Sequence, residues 1–260
     1  MKIEYPYYII DFSATNCFID IRVNDVCVFC LNVEGQVGTI VPVNNAILES
    51  GTQRVSYNIL PMVGETNLRD SVDFHASVWL YDASGNHIEK VEEINHYNIS
   101  QKTPTPIPLY KHENIFVAEV PYNIKAWQNS IYLRDFKTED LRKMVDKAYK
   151  RIENIFEDGQ YSQFIDMIEQ RENNVATSMY LSEEEKKERG NGFLKILQTG
   201  FNVVPTSFPD IMVVYGDGKL VTLKKKNGSS AFVLKNFQGQ ELNVELKFHL
   251  EQGNNELTII

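Results

Sequence analysis

The hydrophobic period of this chain changes near residue 124, and that change constrains the fold more than any motif does. Before it, apolar residues alternate at period two in short runs bounded by turn formers. After it they recur at i, i+3 and i+4, and from Pro209 onward the period of two returns. Successive strand residues point to opposite faces, whereas a helix comes back to one face every three to four residues. The chain therefore reads as two units, 1–123 and 124–260, and 260 residues suffice for two small cores.

In the first unit, residues 7–12, 17–23, 26–33, 37–43, 54–60, 72–81 and 115–120 are rich in β-branched and aromatic side chains, and none carries a helical stripe. Asn24-Asp25 fits a two-residue hairpin loop because both residues tolerate positive φ; residues 82–86 read as another hairpin connection. Such strands, with no helix between them, predict an antiparallel β-sandwich. Alternation in 72–81 sends Val72, Phe74, Ala76, Val78 and Leu80 to one face and Asp73, His75, Ser77, Trp79 and Tyr81 to the other. Pro104, Pro106 and Pro108 hold residues 101–108 extended, as an interdomain linker or an edge crossing of the sandwich. The strand pattern resuming at 114–120 favours the crossing.

The second unit opens with an amphipathic helix from Thr138, read as its N-cap, along Leu141, Met144, Val145, Ala148, Ile152, Ile155 and Phe156 to a stop at Gly159. A second helix runs along Tyr161, Phe164, Ile165, Ile168, Val175 and Met179. Ser182 with Glu185 forms a capping box for a third, in which Gly190 and Gly192 predict a break or kink. Turns at Gly216-Asp217-Gly218 and Asn227-Gly228, an alternating strand from Leu242 to Leu250 and a closing run at 256–260 complete a meander of four or five strands. Three helices before such a sheet predict an α+β unit, cone-like, with helices covering the apolar sheet face. The fold class is α+β in two parts, an N-terminal antiparallel β-sandwich followed by that unit.

The net charge of -9 is uneven: residues 1–123 hold 7 basic and 15 acidic side chains. This argues against nucleic acid as a partner, since phosphate neutralisation needs surplus Lys and Arg. Net charge speaks first to solubility; its functional reading is a docking face for a basic protein, with Asp70, Asp73, Glu89, Glu92 and Glu93 as candidate contacts. No apolar run approaches the roughly 20 residues that span a bilayer, so no membrane partner is expected. The opening residues lack the pattern of a secretory signal, and three cysteines, an odd number, suit a reducing cytoplasm.

Motifs that would carry chemistry are weak. Cys27 and Cys30 form a C-x-x-C, but inside a regular strand positions three apart diverge, so both are expected as core thiols. His75 and His249 fall on polar strand faces and are expected at least half-exposed; His87, Glu89, Glu92, Glu93 and His96 read as a charged surface hairpin rather than a metal site. Tyr215-Gly216-Asp217-Gly218-Lys219 lacks the spacing and the following helix of a phosphate loop. Lys224-Lys225-Lys226 reads as a solvated basic hairpin tip. No catalytic residue, metal or cofactor is expected. Two functions follow: a non-catalytic binding protein, either an adaptor or an immunity-like inhibitor of a basic protein; or, as the alternative, a small-molecule binder or enzyme with a pocket between helices and sheet of the second unit, lined by Tyr161, Phe164 and Phe232.

Overall fold

The computed structural model describes residues 3–85, 87–100, 106–206 and 210–260. Asn86 of the 82–86 connection, residues 101–105 of the proline segment and Pro209 lie outside them. The chain divides into two compact units, residues 1–124 and 125–260.

The first unit is a curled six-stranded antiparallel sheet of β1 (Pro6–Val23), β2 (Val26–Pro42), β3 (Gly51–Leu60), β4 (Asp73–Asp82), β5 (Glu89–Ser100) and β6 (Tyr110–Ala118). The order is β5-β4-β1-β3-β6, with β2 also paired to β1. Asn24 and Asp25 make the β1–β2 turn at φ 51 and 59°. The runs 7–12 and 17–23, expected as separate strands, are one strand, as are 26–33 and 37–43. Asn16, at φ 52°, sits in a bulge between Thr15 and Cys17, and the Gly35 N–H, at φ 87°, donates to Asn16 Oδ1 at 2.9 Å. The extra residue bends the ladder without ending it. On one side of the bend β1 pairs with β4, on the other with β3.

Ile19, Ile21 and Val23 on β1 are fully buried, each contributing about 1.5–3 kcal/mol of apolar transfer. The Tyr57 ring of β3 lies 5.5 Å from Phe74 of β4 and 5.6 Å from Tyr97 of β5, and Tyr97 stacks on His112 of β6 at 3.7 Å. Buried Asn44 ties in the first residues of β1: the Tyr8 N–H donates to its Oδ1 at 2.7 Å, and its Nδ2 donates to the Pro6 carbonyl at 3.1 Å. The β5 strand is absent from the sequence reading. Ile94 and Val91 are extra residues at its two bulges against β4, which breaks the period-two signal.

The second unit contains, among the described residues, helices α1 (Thr138–Glu157), α2 (Tyr161–Met167), α3 (Glu169–Ser178) and α4 (Glu183–Leu197). It also holds the short strands β7 (Asn202–Val204), β8 (Ile211–Tyr215), β9 (Leu220–Lys224), β10 (Val233–Lys235), β11 (Glu241–Asn243), β12 (Phe248–His249) and β13 (Thr258–Ile259). They form not one meander but two antiparallel sheets, β11-β10-β7 and β13-β12-β9-β8. The alternating run from Leu242 to Leu250 leaves one sheet at Asn243 and enters the other at Phe248. Helix α1 buries Leu141, Val145, Ala148, Tyr149, Ile152, Ile155 and Phe156 as its spacing requires; Lys137, not Thr138, is its N-cap. The expected second helix is broken at Ile168 into α2 and α3. Helix α4 has the Ser182/Glu185 capping box and runs through Gly190 and Gly192 without the expected break.

Candidate functional site

Strand register decides where the candidate acidic residues point. In β1 the residues Ile10, Phe12 and Ala14 are buried while Asp11 is exposed and Ser13 and Thr15 are half-exposed. Asp11 lies opposite Ser77, which lies opposite His96; Trp79 lies opposite Glu93. Because strand side chains alternate, Asp11, Asp73, His75, Ser77, Trp79, Glu93 and His96 share the outward face of β1, β4 and β5. Exposed Ile40 of β2 stands opposite Asp11. Glu92 is opposite Leu80 on the other side of the strand, Glu89 is opposite Asp82 at the end of the pair, and exposed Asp70 lies in the connection before β4. Of the five acidic candidates, register thus gathers only Asp73 and Glu93, together with Asp11, which sequence reasoning missed. Its signal was an acid at an odd position among buried even ones.

The face is not built for proton relay. Asp73 Oδ2 lies 3.0 Å from His75 Nε2. Ser77 Oγ and Glu93 Oε1 both approach His96 Nδ1, at 2.9 and 3.4 Å, so one nitrogen serves both and the imidazole cannot pass a proton between them. Three cations among the described residues of the first unit are tied locally. Arg22 pairs with Asp20 and Asp25 at 2.9 Å, Arg69 with Glu65, and Lys90 Nζ sits 3.2 Å from the centre of the Trp79 ring.

Two thiols depart from expectation. Cys30 is in register with Asp20 and Cys27 with Arg22, which makes Val28 an extra, bulged residue. One added residue flips strand parity, so Cys27 and Cys30 fall on the same face instead of diverging. They are half-buried rather than core, and their sulfurs and an Asp20 carboxylate oxygen all lie within 4.8 Å of one another. Among the described residues this is the one place where three metal-ligating side chains converge; His87 and its neighbours do not. Cys17 is the core thiol, and burial pushes its pKa up to about 11.

In the second unit the three residues expected to line a pocket belong to the core or pack against it. Phe164 and Phe232 are wholly buried, 5.8 Å apart, and each packs on Phe156, at 5.0 and 5.9 Å. Tyr161 meets Phe156 edge-on at 5.5 Å. A cleft of about 270 Å³ lies among α2, α3 and α4, over Ile165, Ile168 and Phe193, with Asp166, Glu169 and Glu183 and also Lys186 and Lys187 lining it. Glu172 in its wall is held between Arg171 at 2.5 Å and Arg189 at 2.8 Å.

His249, expected at least half-exposed, is 3% exposed; Ser130 Oγ lies 2.7 Å from its Nδ1, and desolvation lowers its pKa. The buried pair pins the segment before α1 to β12, with the Ile131 N–H donating to the Leu250 carbonyl at 2.8 Å. Lys224 is not solvated at a hairpin tip either: it is buried and pairs with Glu245 at 3.1 Å. The turn at Gly216-Asp217-Gly218 joins β8 to β9, and the Gly218 carbonyl accepts from Leu133 N–H at 2.7 Å. No helix of the described residues is long and apolar enough to cross a membrane. Compared with models of known families, with curated proteins and with solved structures, the chain matches none.

Proposed function

We propose that the chain is a non-catalytic interaction protein of two domains, whose sandwich-like N-terminal domain docks a basic surface of another protein. The observation that carries this is the outward face of β1, β4 and β5, where Asp11, Asp73 and Glu93 surround half-buried Trp79 and exposed Ile40. Aromatic and aliphatic anchors ringed by charge are the composition of a binding patch, and three carboxylates against the single Lys90 on Trp79 speed encounter with a cationic partner. An adaptor or an immunity-like inhibitor, acting in the cytoplasm, uses such a face. The test is crosslinking capture from native cells at low and high salt. Asp11→Lys/Asp73→Lys/Glu93→Lys removes the captured basic protein, and high salt weakens its capture by the parent chain. Capture that survives the triple charge reversal, or ignores salt, sinks the proposal.

A second reading, a small-molecule binder, is supported by the cleft on α2, α3 and α4. Its apolar floor suits an apolar ligand body, and its carboxylates, four against the two lysines Lys186 and Lys187, favour a cationic head. A thermal-shift screen with aryl-alkyl amines tests it: a shift abolished by Phe193→Ala supports this reading, and no shift with any amine removes it.

A further inference from the structure

We propose that Cys27, Cys30 and Asp20 form a site for one thiophilic divalent cation of the zinc class. The bulge at Val28 is what makes the site, because it turns both thiols onto the face that already carries Asp20 and Arg22. Ligand atoms within 4.8 Å of one another already approach the spacing a tetrahedral ion imposes. With metal–sulfur bonds of about 2.3 Å, two sulfurs on such an ion stand roughly 3.8 Å apart, which small side-chain rotations supply.

The same geometry disfavours a disulfide. Cys27 and Cys30 oppose Arg22 and Asp20, two residues apart on β1, so their parallel Cβ atoms stand about 6–7 Å apart, two strand rises. A disulfide needs about 3.5–4.5 Å between Cβ atoms. A metal ion spans the longer distance without moving the backbone.

Charge favours the ion. Two thiolates and a carboxylate carry three negative charges; a divalent ion offsets two of them, and the Arg22 guanidinium, which Asp25 shares at 2.9 Å, offsets part of the third. Arg22 Nε and Nη2 each reach Asp20 Oδ2 at 2.9 Å, and an ion-paired carboxylate is held in place for an ion as second partners hold metal ligands elsewhere. Binding exchanges the two thiol protons for the cation, so affinity rises with pH. A water completes the fourth position, since the face is partly open.

Cobalt(II) is the probe, added to the full chain kept reduced by a non-chelating phosphine. The expected result is one equivalent bound, with near-ultraviolet sulfur-to-cobalt absorption and the intense visible bands of a tetrahedral ion, both displaced by zinc. Cys27→Ser and Cys30→Ser each abolish the sulfur absorption at the same cobalt concentration, and Asp20→Asn keeps it while weakening binding. All three positions are half-buried on the outer face, and an unchanged circular dichroism spectrum confirms each variant's fold. Absence of sulfur absorption, its survival in either cysteine variant, or undiminished affinity in Asp20→Asn overturns the site. Closure of a Cys27–Cys30 disulfide by a small-molecule disulfide, in chain that binds no cobalt when reduced, overturns it as well.

Discussion

In the first unit one strand, β1, runs 18 residues and pairs with three neighbours, whereas strands of the second unit run two to five residues and pack with α1. A long ladder fixes side-chain direction by parity, so one inserted residue redirects whatever follows it, as Val28 turns Cys30 onto the face of Cys27. Short strands fix little by themselves. Their position depends on rings and aliphatic side chains packed on the helices, such as Phe232 on Phe156 and Phe248 on Tyr149. Backbone perturbation should therefore hurt the first unit most, and side-chain truncation the second. The chain has two tryptophans, Trp79 in the first unit and Trp127 in the second, so single-tryptophan variants report on each separately.

The largest effect is expected from Phe232→Ala. Deleting a wholly buried ring costs about 3–5 kcal/mol, and denaturation followed by Trp127 should show it. The Trp79 transition should stay where it was. Equal shifts in both would break the comparison, because the units would then unfold as one.

Next comes Asn44→Ala, the buried polar clamp of the first unit. It removes the side-chain bonds to the Tyr8 N–H and the Pro6 carbonyl, and loss of the buried acceptor for the Tyr8 N–H costs about 1–3 kcal/mol. Trp79 should report the loss and Trp127 should not.

A glycine pair sharpens the contrast further, since one substitution should have opposite signs in the two units. Gly35→Ala meets no atom within 4 Å but forces a side chain to φ 87°, costing about 1–2 kcal/mol. Gly190→Ala also meets no atom, but its backbone is helical, and replacing a mid-helix glycine stabilises by about 0.5–1 kcal/mol. Urea midpoints read from Trp79 and Trp127 respectively check both. A Gly35→Ala shift that is absent or stabilising would refute the account of the Asn16–Gly35 bulge, and a destabilising Gly190→Ala would refute that of α4.

These glycines also show what the sequence could and could not convey. Periodicity located α1 and its buried stripe, the turn at Asn24-Asp25 and the capping box at Ser182, because each rests on neighbours within one turn or one hairpin. It split β1 and β2 at Asn16 and Gly35, since a turn former inside a bulge looks the same as one ending a strand. It missed β5 for the related reason that two bulges and an exposed, charged edge erase alternation. The candidate sites fared according to register: Asp73 and Glu93 meet Asp11 only through cross-strand pairing, and Cys27 meets Cys30 only through Val28. Neither pairing leaves a trace in a window of one strand. His249 sat on the polar side of an alternating run, yet it is buried because the run changes sheets just before it.

That histidine supplies the smallest expected effect and a pH test confined to the second unit. Desolvation lowers its pKa below the ordinary 6.5, with Glu251 at 3.8 Å opposing the shift weakly and Ser130 at its other nitrogen. A depressed folded value means that the unfolded chain binds the proton first as pH falls. The stability that buried, neutral His249 allows is therefore complete above pH 6.5 and declines as pH drops from there through the folded value. Denaturation followed by Trp127 at successive pH values below neutrality should show this slope in the parent chain and a flatter one in His249→Gln, which keeps an acceptor for Ser130 but does not titrate. The Trp79 transition should respond equally in both chains. If His249→Gln leaves the Trp127 slope unchanged, protonation of His249 is not what loosens the segment before α1, and the buried Ser130–His249 pair holds that segment no more firmly when neutral than when charged.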